Sequence, residues 1–437
     1  MNRTVVPAPH LRRAGPLLTL ASLGTIAFAT LLPEPGAATD SHFCLVCGTL
    51  GGVSAVLNVI LFVPLGLGLV LSGFPAKRAL LGMFVLSALI EAAQFSGIPG
   101  RSSTISDVVT NGVGGALGFA IGRYALTWLR PSPRIALALS VAWFAIWVAI
   151  QATSAFGFSP AMPQSEYYGQ IAPRLGNFDQ FRGRVVRASI ADVTVPDTRF
   201  EDSRKVRELL LRGATVTTTI VPSGPTNGIA PIVRVADAGR REIALLAQDG
   251  QRFVFEVRTG AGALRLNAPF FASPDLFSAA PPADSGPITD TLRLSAHYAA
   301  REVRLNVQTA RGSYDRLIPI TASLGWTMVL PFRWIIEGTR TERVVSVIWI
   351  ACLLLPIGYW GAGITQHSSR NVTKFLLASV PITLALLYVG LVAVPEAVGV
   401  TASLPGDWLA GLTGILLGGM LRARGSLLGP EKGSTDD

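Results

Sequence analysis

Apolar residues in this chain gather into long blocks separated by short polar loops, with one long polar interruption. A hydrocarbon core of about 30 Å takes about 20 apolar residues in helical form, so each block of that length predicts a membrane-spanning helix. About eight are predicted, at residues 16–32, 52–72, 79–98, 108–129, 135–156, 344–363, 375–394 and 408–421. The first block carries no small-residue cleavage signature ahead of a polar mature sequence, so it is expected to be retained.

Between residues 159 and 343 the period changes. Short apolar or alternating runs at 232–235, 242–246, 253–257, 292–296 and 303–307 are punctuated by Asp249-Gly250, Gly260 to Gly262 and Arg311-Gly312. Such runs between turn residues predict strands, and several at regular spacing predict an antiparallel sandwich. A helix is expected at 202–212 within it. The fold class is therefore a multi-pass α-helical membrane protein of about eight transmembrane helices with an inserted all-β, jelly-roll-like extracytoplasmic domain. The expected divisions are an N-terminal membrane domain at 1–158 with five spans and the sandwich at 159–322. An interfacial linker at 323–343 carries Trp326, Arg333 and Trp334. A C-terminal membrane domain with three spans at 344–424 and a disordered cytoplasmic tail at 425–437 complete the chain.

Composition sharpens this picture. Half of the residues (50%) are hydrophobic and only 15% are charged, against about 25% in soluble domains, which excludes an ordinary cytosolic enzyme. The formal net charge of +10 has a topological origin, because the cytoplasmic side of a membrane retains Lys and Arg in short loops. Arg3, Arg12 and Arg13, then Lys77 and Arg78, Arg130 and Arg134, Arg370 and Lys374, and Arg422 and Arg424 fall on one side if the spans alternate. Both termini are then cytoplasmic and the sandwich faces outward. Arg333, Arg340 and Arg343 oppose the rule locally. No basic run with interleaved aromatics marks a nucleic-acid partner, and no Walker loop, dinucleotide fingerprint or Ser-His-Asp set marks a cofactor or nucleophile. Cys44 and Cys47, beside Asp40 and His42 in the first outer loop, have a spacing open to zinc or a local disulfide; the oxidising compartment favours the disulfide, and no metal is expected.

The candidate chemistry is what remains polar inside the membrane blocks. An ionised side chain at the centre of a span costs about 2.5–3.5 kcal/mol, so each such residue needs a partner or a purpose. Asn58 lies on the second block, and Ser87, Glu91 and Gln94 form a stripe on the third. Arg101 lies in the outer loop, and Asp107, Asn111, Gly114 and Gly118 form a stripe on the fourth. Two readings stand. Asn58, Glu91, Gln94, Arg101, Asp107 and Asn111 line a pocket for a lipid-linked or glycan-like head group, with Glu91 and Asp107 as candidate acid and base; or the charged members stitch helices together and nothing more.

These residues carry a resemblance. Asn58 to Phe62, Pro64-Leu65-Gly66, Ser87 to Glu91, Gln94, Arg101, Asp107-Val108, Asn111, Gly114 and Gly118 resemble the VanZ-like family of bacterial membrane proteins over residues 50–125. The resemblance implies a bacterial inner-membrane protein of the cell envelope, associated through the family's namesake with resistance to the glycopeptide antibiotic teicoplanin. The inserted domain resembles, more loosely, concanavalin A-like and laminin-G sandwiches, which implies carbohydrate binding, with Tyr167, Tyr168, Phe270, Phe271 and Tyr298 as candidate platforms. The expected partners are membrane lipid or a lipid-linked saccharide, and a surface glycan on the sandwich. A membrane enzyme acting on a lipid-linked saccharide and a transporter built from two halves are the alternatives. The halves echo each other, since Ser103, Asp107, Gly114, Leu117 and Gly118 recur as Ser403, Asp407, Gly414, Leu417 and Gly418, and Pro64-Leu65-Gly66 recurs as Pro356-Ile357-Gly358. In the alignment of the halves Glu91 faces Tyr388, Gln94 faces Leu391 and Asn111 faces Gly411, so the second half keeps little of the polar stripe.

Overall fold

The computed structural model describes residues 9–33, 48–101, 103–176, 178–273, 291–299, 301–309, 312–365, 372–400 and 403–427. Cys44 and Cys47, with their expected disulfide, lie outside these residues, as does the tail beyond 427. The chain divides into two compact units, Met1–Leu139 and Ser140–Asp437.

The first unit holds α1 (Pro9–Leu31), α2 (Gly51–Leu71), α3 (Ala76–Phe95), α4 (Ile105–Arg123) and the short α5 (Ala125–Leu129). Helix α6 (Pro133–Phe158) leads into the second unit, whose β domain is followed by further long helices. Among the described residues, six helices are long and apolar enough to cross a membrane, within Ala14–Leu31, Gly51–Leu71, Ala76–Phe95, Pro133–Phe158, Arg340–Ile364 and Val380–Val398. The other two expected spans are also helical, but Gly, Asp and Asn lower their mean hydropathy. Helix α4 still turns Ile105, Val109, Val113, Leu117 and Ile121 outward at four-residue steps. An apolar stripe facing away from the protein is stable where the solvent is lipid. The protein is a multi-pass helical membrane protein with a β domain.

Close packing of α2 on α4 depends on glycine. A Cβ at Gly114 would overlap the Val59 carbonyl oxygen, one at Gly118 the Val63 oxygen, and one at Gly66 the Gly115 oxygen. Backbone therefore lies directly on backbone, the approach that small-xxx-small faces permit in membranes.

In the second unit the β domain comprises β1 (Tyr167–Ile171), β2 (Arg184–Ile190), β3 (Val193–Thr194), α7 (Ser203–Leu211), β4 (Val216–Val221), β5 (Ile229–Asp237), β6 (Glu242–Asp249) and β7 (Arg252–Val257). It continues with α8 (Gly260–Ala263), β8 (Phe270–Ala272), β9 (Leu292–Ala299), β10 (Glu302–Thr309), β11 (Gly312–Pro319) and β12 (Ile335–Ile336). Two six-stranded sheets result, ordered β1-β5-β6-β7-β8-β12 and β11-β10-β9-β4-β2-β3. Pairing is antiparallel except between β8 and β12. Inward-facing Val233, Leu246, Phe255, Leu294, Leu305 and Val307 fill the space between the sheets.

Two expectations are corrected here. The linker from 323 was expected at the membrane interface, yet Ala322–Val329 forms a buried 3₁₀ helix and Ile335–Ile336 extends the first sheet, so the domain continues to Ile336. Tyr167, Phe270, Phe271 and Tyr298 are at most 2% exposed and belong to the core, which leaves Tyr168 as the only one of the five candidate platforms at the surface.

The chain returns through α9 (Arg340–Thr365), α10 (Val372–Tyr388), a π-helical turn at Val389–Ala393, α11 (Val394–Val398) and α12 (Pro405–Leu427). Helix α12 runs past residue 425, where the tail was expected to begin. Pro395 has no N–H to give to the Leu391 carbonyl, and the Ser403 N–H takes that acceptor at 3.2 Å. Helices α9 and α12 repeat the device of α2 and α4. A Cβ at Gly414 would overlap the Ala351 oxygen, one at Gly418 the Leu355 oxygen, and one at Gly358 the Ile415 oxygen. The echo read in the sequence is thus a repeated helix pair, with Gly66, Gly114 and Gly118 matched by Gly358, Gly414 and Gly418.

Gly112 has open space where its Cβ would stand, whereas Gly114 does not. Gly114→Ala is expected to destabilise the protein by about 1–3 kcal/mol through overpacking, and Gly112→Ala to leave it unchanged or gain up to about 1 kcal/mol of helix propensity. Denaturant unfolding of the two purified variants in detergent measures the contrast.

Candidate functional site

The site forms where the C-terminal end of α3 meets the N-terminus of α4. Helix α3 buries Met83, Ser87, Ile90, Glu91 and Gln94, a spacing that sets one mixed apolar and polar face inward. Thr104, in extended conformation, caps α4, its hydroxyl accepting the Asp107 N–H at 3.0 Å. Asp107 is therefore the third residue of its helix, in the first turn. A carboxylate in the first turn is favoured by the free N–H groups and the helix dipole, typically by about 0.3–1 kcal/mol at exposed sites.

Glu91 closes the other side. It is 7% exposed, and its Oε2 accepts the Thr104 backbone N–H at 2.8 Å. The Ser103 side chain also hydrogen-bonds it, and the Asp107 charge lies within interaction range. Asp107 in turn is hydrogen-bonded by the side chains of Thr104, Ser106 and Asn58. One step further along α4, Asn111 Nδ2 donates to Ser87 Oγ at 2.9 Å. Asn111 is 2% exposed and its Oδ1 is buried without a partner, an acceptor that awaits a donor.

The six expected residues thus divide. Glu91, Asp107 and Asn58 come together, Asn111 lies beside them on α4, and Gln94 and Arg101 turn elsewhere. Gln94 Nε2 donates to the Thr30 carbonyl at 2.9 Å. Arg101 donates to the Leu32 and Ala29 carbonyls at 3.1 and 2.9 Å, satisfying the C-terminal end of α1. Thr104, Ser103 and Ser106 were not singled out for the site. The signal for them was present, since Thr104-x-x-Asp107 ahead of an apolar run is a helix N-terminus pattern. No cluster of metal-ligating side chains occurs among the described residues.

The unit so assembled includes α1 as well as the three helices that carry the motif. Residues 17–127 match the family model described as VanZ/LLP1. The VanZ/LLP1 domain therefore begins in α1 and ends in α5, which fits the ties from Gln94 and Arg101 to α1. No curated protein and no solved structure matches the chain.

The repeated helix pair offers an internal control for this VanZ/LLP1 site. Leu387 lies against Gly411 as Ser87 lies against Asn111, which sets Glu91 against Leu391 and not against Tyr388. Leu391 has no carboxylate to offer, and there the N–H of Leu404, in the place of Thr104, is taken by Asp407 Oδ2 at 3.0 Å. In the first copy Glu91 takes that N–H. Asp107 is thereby relieved of the capping bond that Asp407 makes.

Ser87→Ala leaves Asn111 without its hydrogen-bond acceptor and is expected to cost about 1–3 kcal/mol. Ser87→Leu combined with Asn111→Gly copies the apolar pair of the second half and should recover most of that loss in detergent unfolding. A double variant less stable than Ser87→Ala would show that the two copies do not share this packing.

Proposed function

We propose that the VanZ/LLP1 domain binds the polar head group of a membrane lipid or lipid-linked saccharide against Glu91, Asp107 and Asn111. The observation that carries the reading is the exchange of capping partners. Glu91 satisfies the Thr104 N–H, so the Asp107 carboxylate is held by the side chains of Asn58, Thr104 and Ser106 and not by a backbone N–H of its own helix. Closing the helix alone needs no such relief, because the second copy closes its first turn with one aspartate and no glutamate. The unpartnered Asn111 Oδ1 supports the same reading.

In this reading the protein lies in the bacterial inner membrane with both termini cytoplasmic and the β domain outside, as the Lys and Arg distribution has it. Binding of an envelope saccharide precursor would connect it to glycopeptide resistance. The charge interaction between Glu91 and Asp107 favours a second reading, an acid–base pair acting on the bound saccharide. Transport draws less support, since apolar Leu387 and Leu391 replace Ser87 and Glu91 in the second copy.

Lipid mass spectrometry of the detergent-purified protein tests the proposal. Glu91→Gln and Asp107→Asn are each expected to reduce a co-purifying lipid at least tenfold at unchanged protein level in the membrane. Equal lipid recovery from all three proteins would sink the binding reading. A variant that keeps the lipid while the lipid's turnover stops would select the enzyme.

A further inference from the structure

The second unit contains a cavity of about 580 Å³ where the β domain meets the starts of α9 and α12. Its aliphatic wall includes Leu317, Ile336, Val347 and Leu404, and its polar part includes Thr321, Ser323, Arg343 and Asp407. Asp407 is 3% exposed, and its Oδ2 receives both of its hydrogen bonds, from Ser323 Oγ at 3.2 Å and Leu404 N at 3.0 Å. Oδ1 has no partner among the described residues, which leaves a buried negative group with one unspent acceptor beside the cavity. Thr321 pairs with Ser323 at 2.6 Å and so feeds the same hydrogen-bond chain toward Asp407.

The other charges differ from Asp407 in being either satisfied or opposite. Glu342 is saturated, accepting from Trp334 Nε1 at 3.1 Å and from the Glu337 and Thr339 backbone N–H groups at 2.9 Å each. Arg343 is exposed, and its guanidinium has no partner among the described residues. The cavity thus offers one anion with a free acceptor, one cation with free donors, and aliphatic walls. Its lining contains no aromatic ring on which a sugar would stack.

We infer that this cavity is a binding site for a zwitterionic phosphoethanolamine head group, whose ammonium donates to Asp407 and whose phosphate accepts from Arg343. An ammonium with three N–H donors matches a carboxylate that lacks a donor, and a guanidinium is the side chain best suited to a phosphate. The aliphatic wall accommodates the glycerol and the first methylenes of acyl chains. The site is separate from the VanZ/LLP1 site and does not depend on its assignment.

The test is thermal unfolding of the full-length protein in detergent, titrated with dihexanoyl-phosphatidylethanolamine, -choline and -glycerol. The ethanolamine lipid is expected to raise the midpoint and to bind at least tenfold more tightly than choline, which has no N–H donor, or glycerol, which has no cation. Arg343→Gln and Asp407→Asn should each weaken its binding about tenfold. Because Asp407 also caps α12, Arg343→Gln is decisive if Asp407→Asn fails to fold. Equal binding of the choline lipid, or an Arg343→Gln protein with unchanged affinity, overturns the proposal. A parallel titration with O-phosphoethanolamine identifies the source: equal affinity marks the head group as sufficient, and binding of the lipid alone marks the chains as part of the ligand.

Discussion

The contact on which the VanZ/LLP1 site depends is backbone on backbone, α2 against α4, with glycine at each crossing. In lipid there is no hydrophobic force between helices, so their association rests on close packing and hydrogen bonds. The glycines supply the packing, and the packing brings polar groups together. Asn58 on α2 reaches Asp107 on α4 because nothing larger than hydrogen stands between the two helices at Gly114 and Gly118. An additional methyl at either crossing would separate these partners before it altered any one of them.

The second constraint is the N-terminus of α4, whose first N–H groups meet buried side chains in place of water. Each unpaired polar backbone group there costs several kcal/mol by order of magnitude, so the first turn must be closed. The two halves of the chain close it differently. Asp407 serves its own helix and, through Ser323, the segment joining β11 to β12. Thr104 and Glu91 share the task in the first half and leave Asp107 to side-chain partners. One glutamate in place of a leucine thus changes what the aspartate opposite is able to do.

Much of this was legible in the sequence, and the reasons for the rest are physical. Block length sufficed for most spans because the thickness of the bilayer fixes it; a period of two sufficed for β9 and β10 because one face of each is buried, while β5 and β6 read as near-continuous apolar runs because both faces are. The Gly114 and Gly118 spacing and its echo at Gly414 and Gly418 were visible, but not which helix each pair meets. What could not be read was where side chains of Gln94 and Arg101 turn, because their acceptors are carbonyls of α1, distant in sequence and anonymous in type. Asp107 was placed on the right helix, but the Thr104-x-x-Asp107 pattern that marks the first turn of that helix was not used. Residues 323–336, part of the linker expected at 323–343, read as interfacial because Trp and Arg are frequent there, yet the Trp326 and Trp334 indoles donate to buried Ser346 and Glu342.

Those two indoles bear on what the β domain is. A sandwich tethered to a membrane by a loose linker would close its own core, but this one does not. Ala155 and Phe158 from the end of α6, Met328, Ile336 and Val400 all belong to the same buried cluster as the strands. Tyr298 donates to the Phe158 carbonyl at 2.5 Å, and Ser159 donates to the Val398 carbonyl at 3.3 Å. At Gly260 and Gly325 a Cβ would collide with Phe156 and Ser154 of α6, so the helix is seated against the domain with no room for a methyl group. A fragment cut at the sheet boundaries would expose this apolar base and lose part of its core. The β domain and the helices of the second unit are one folding body.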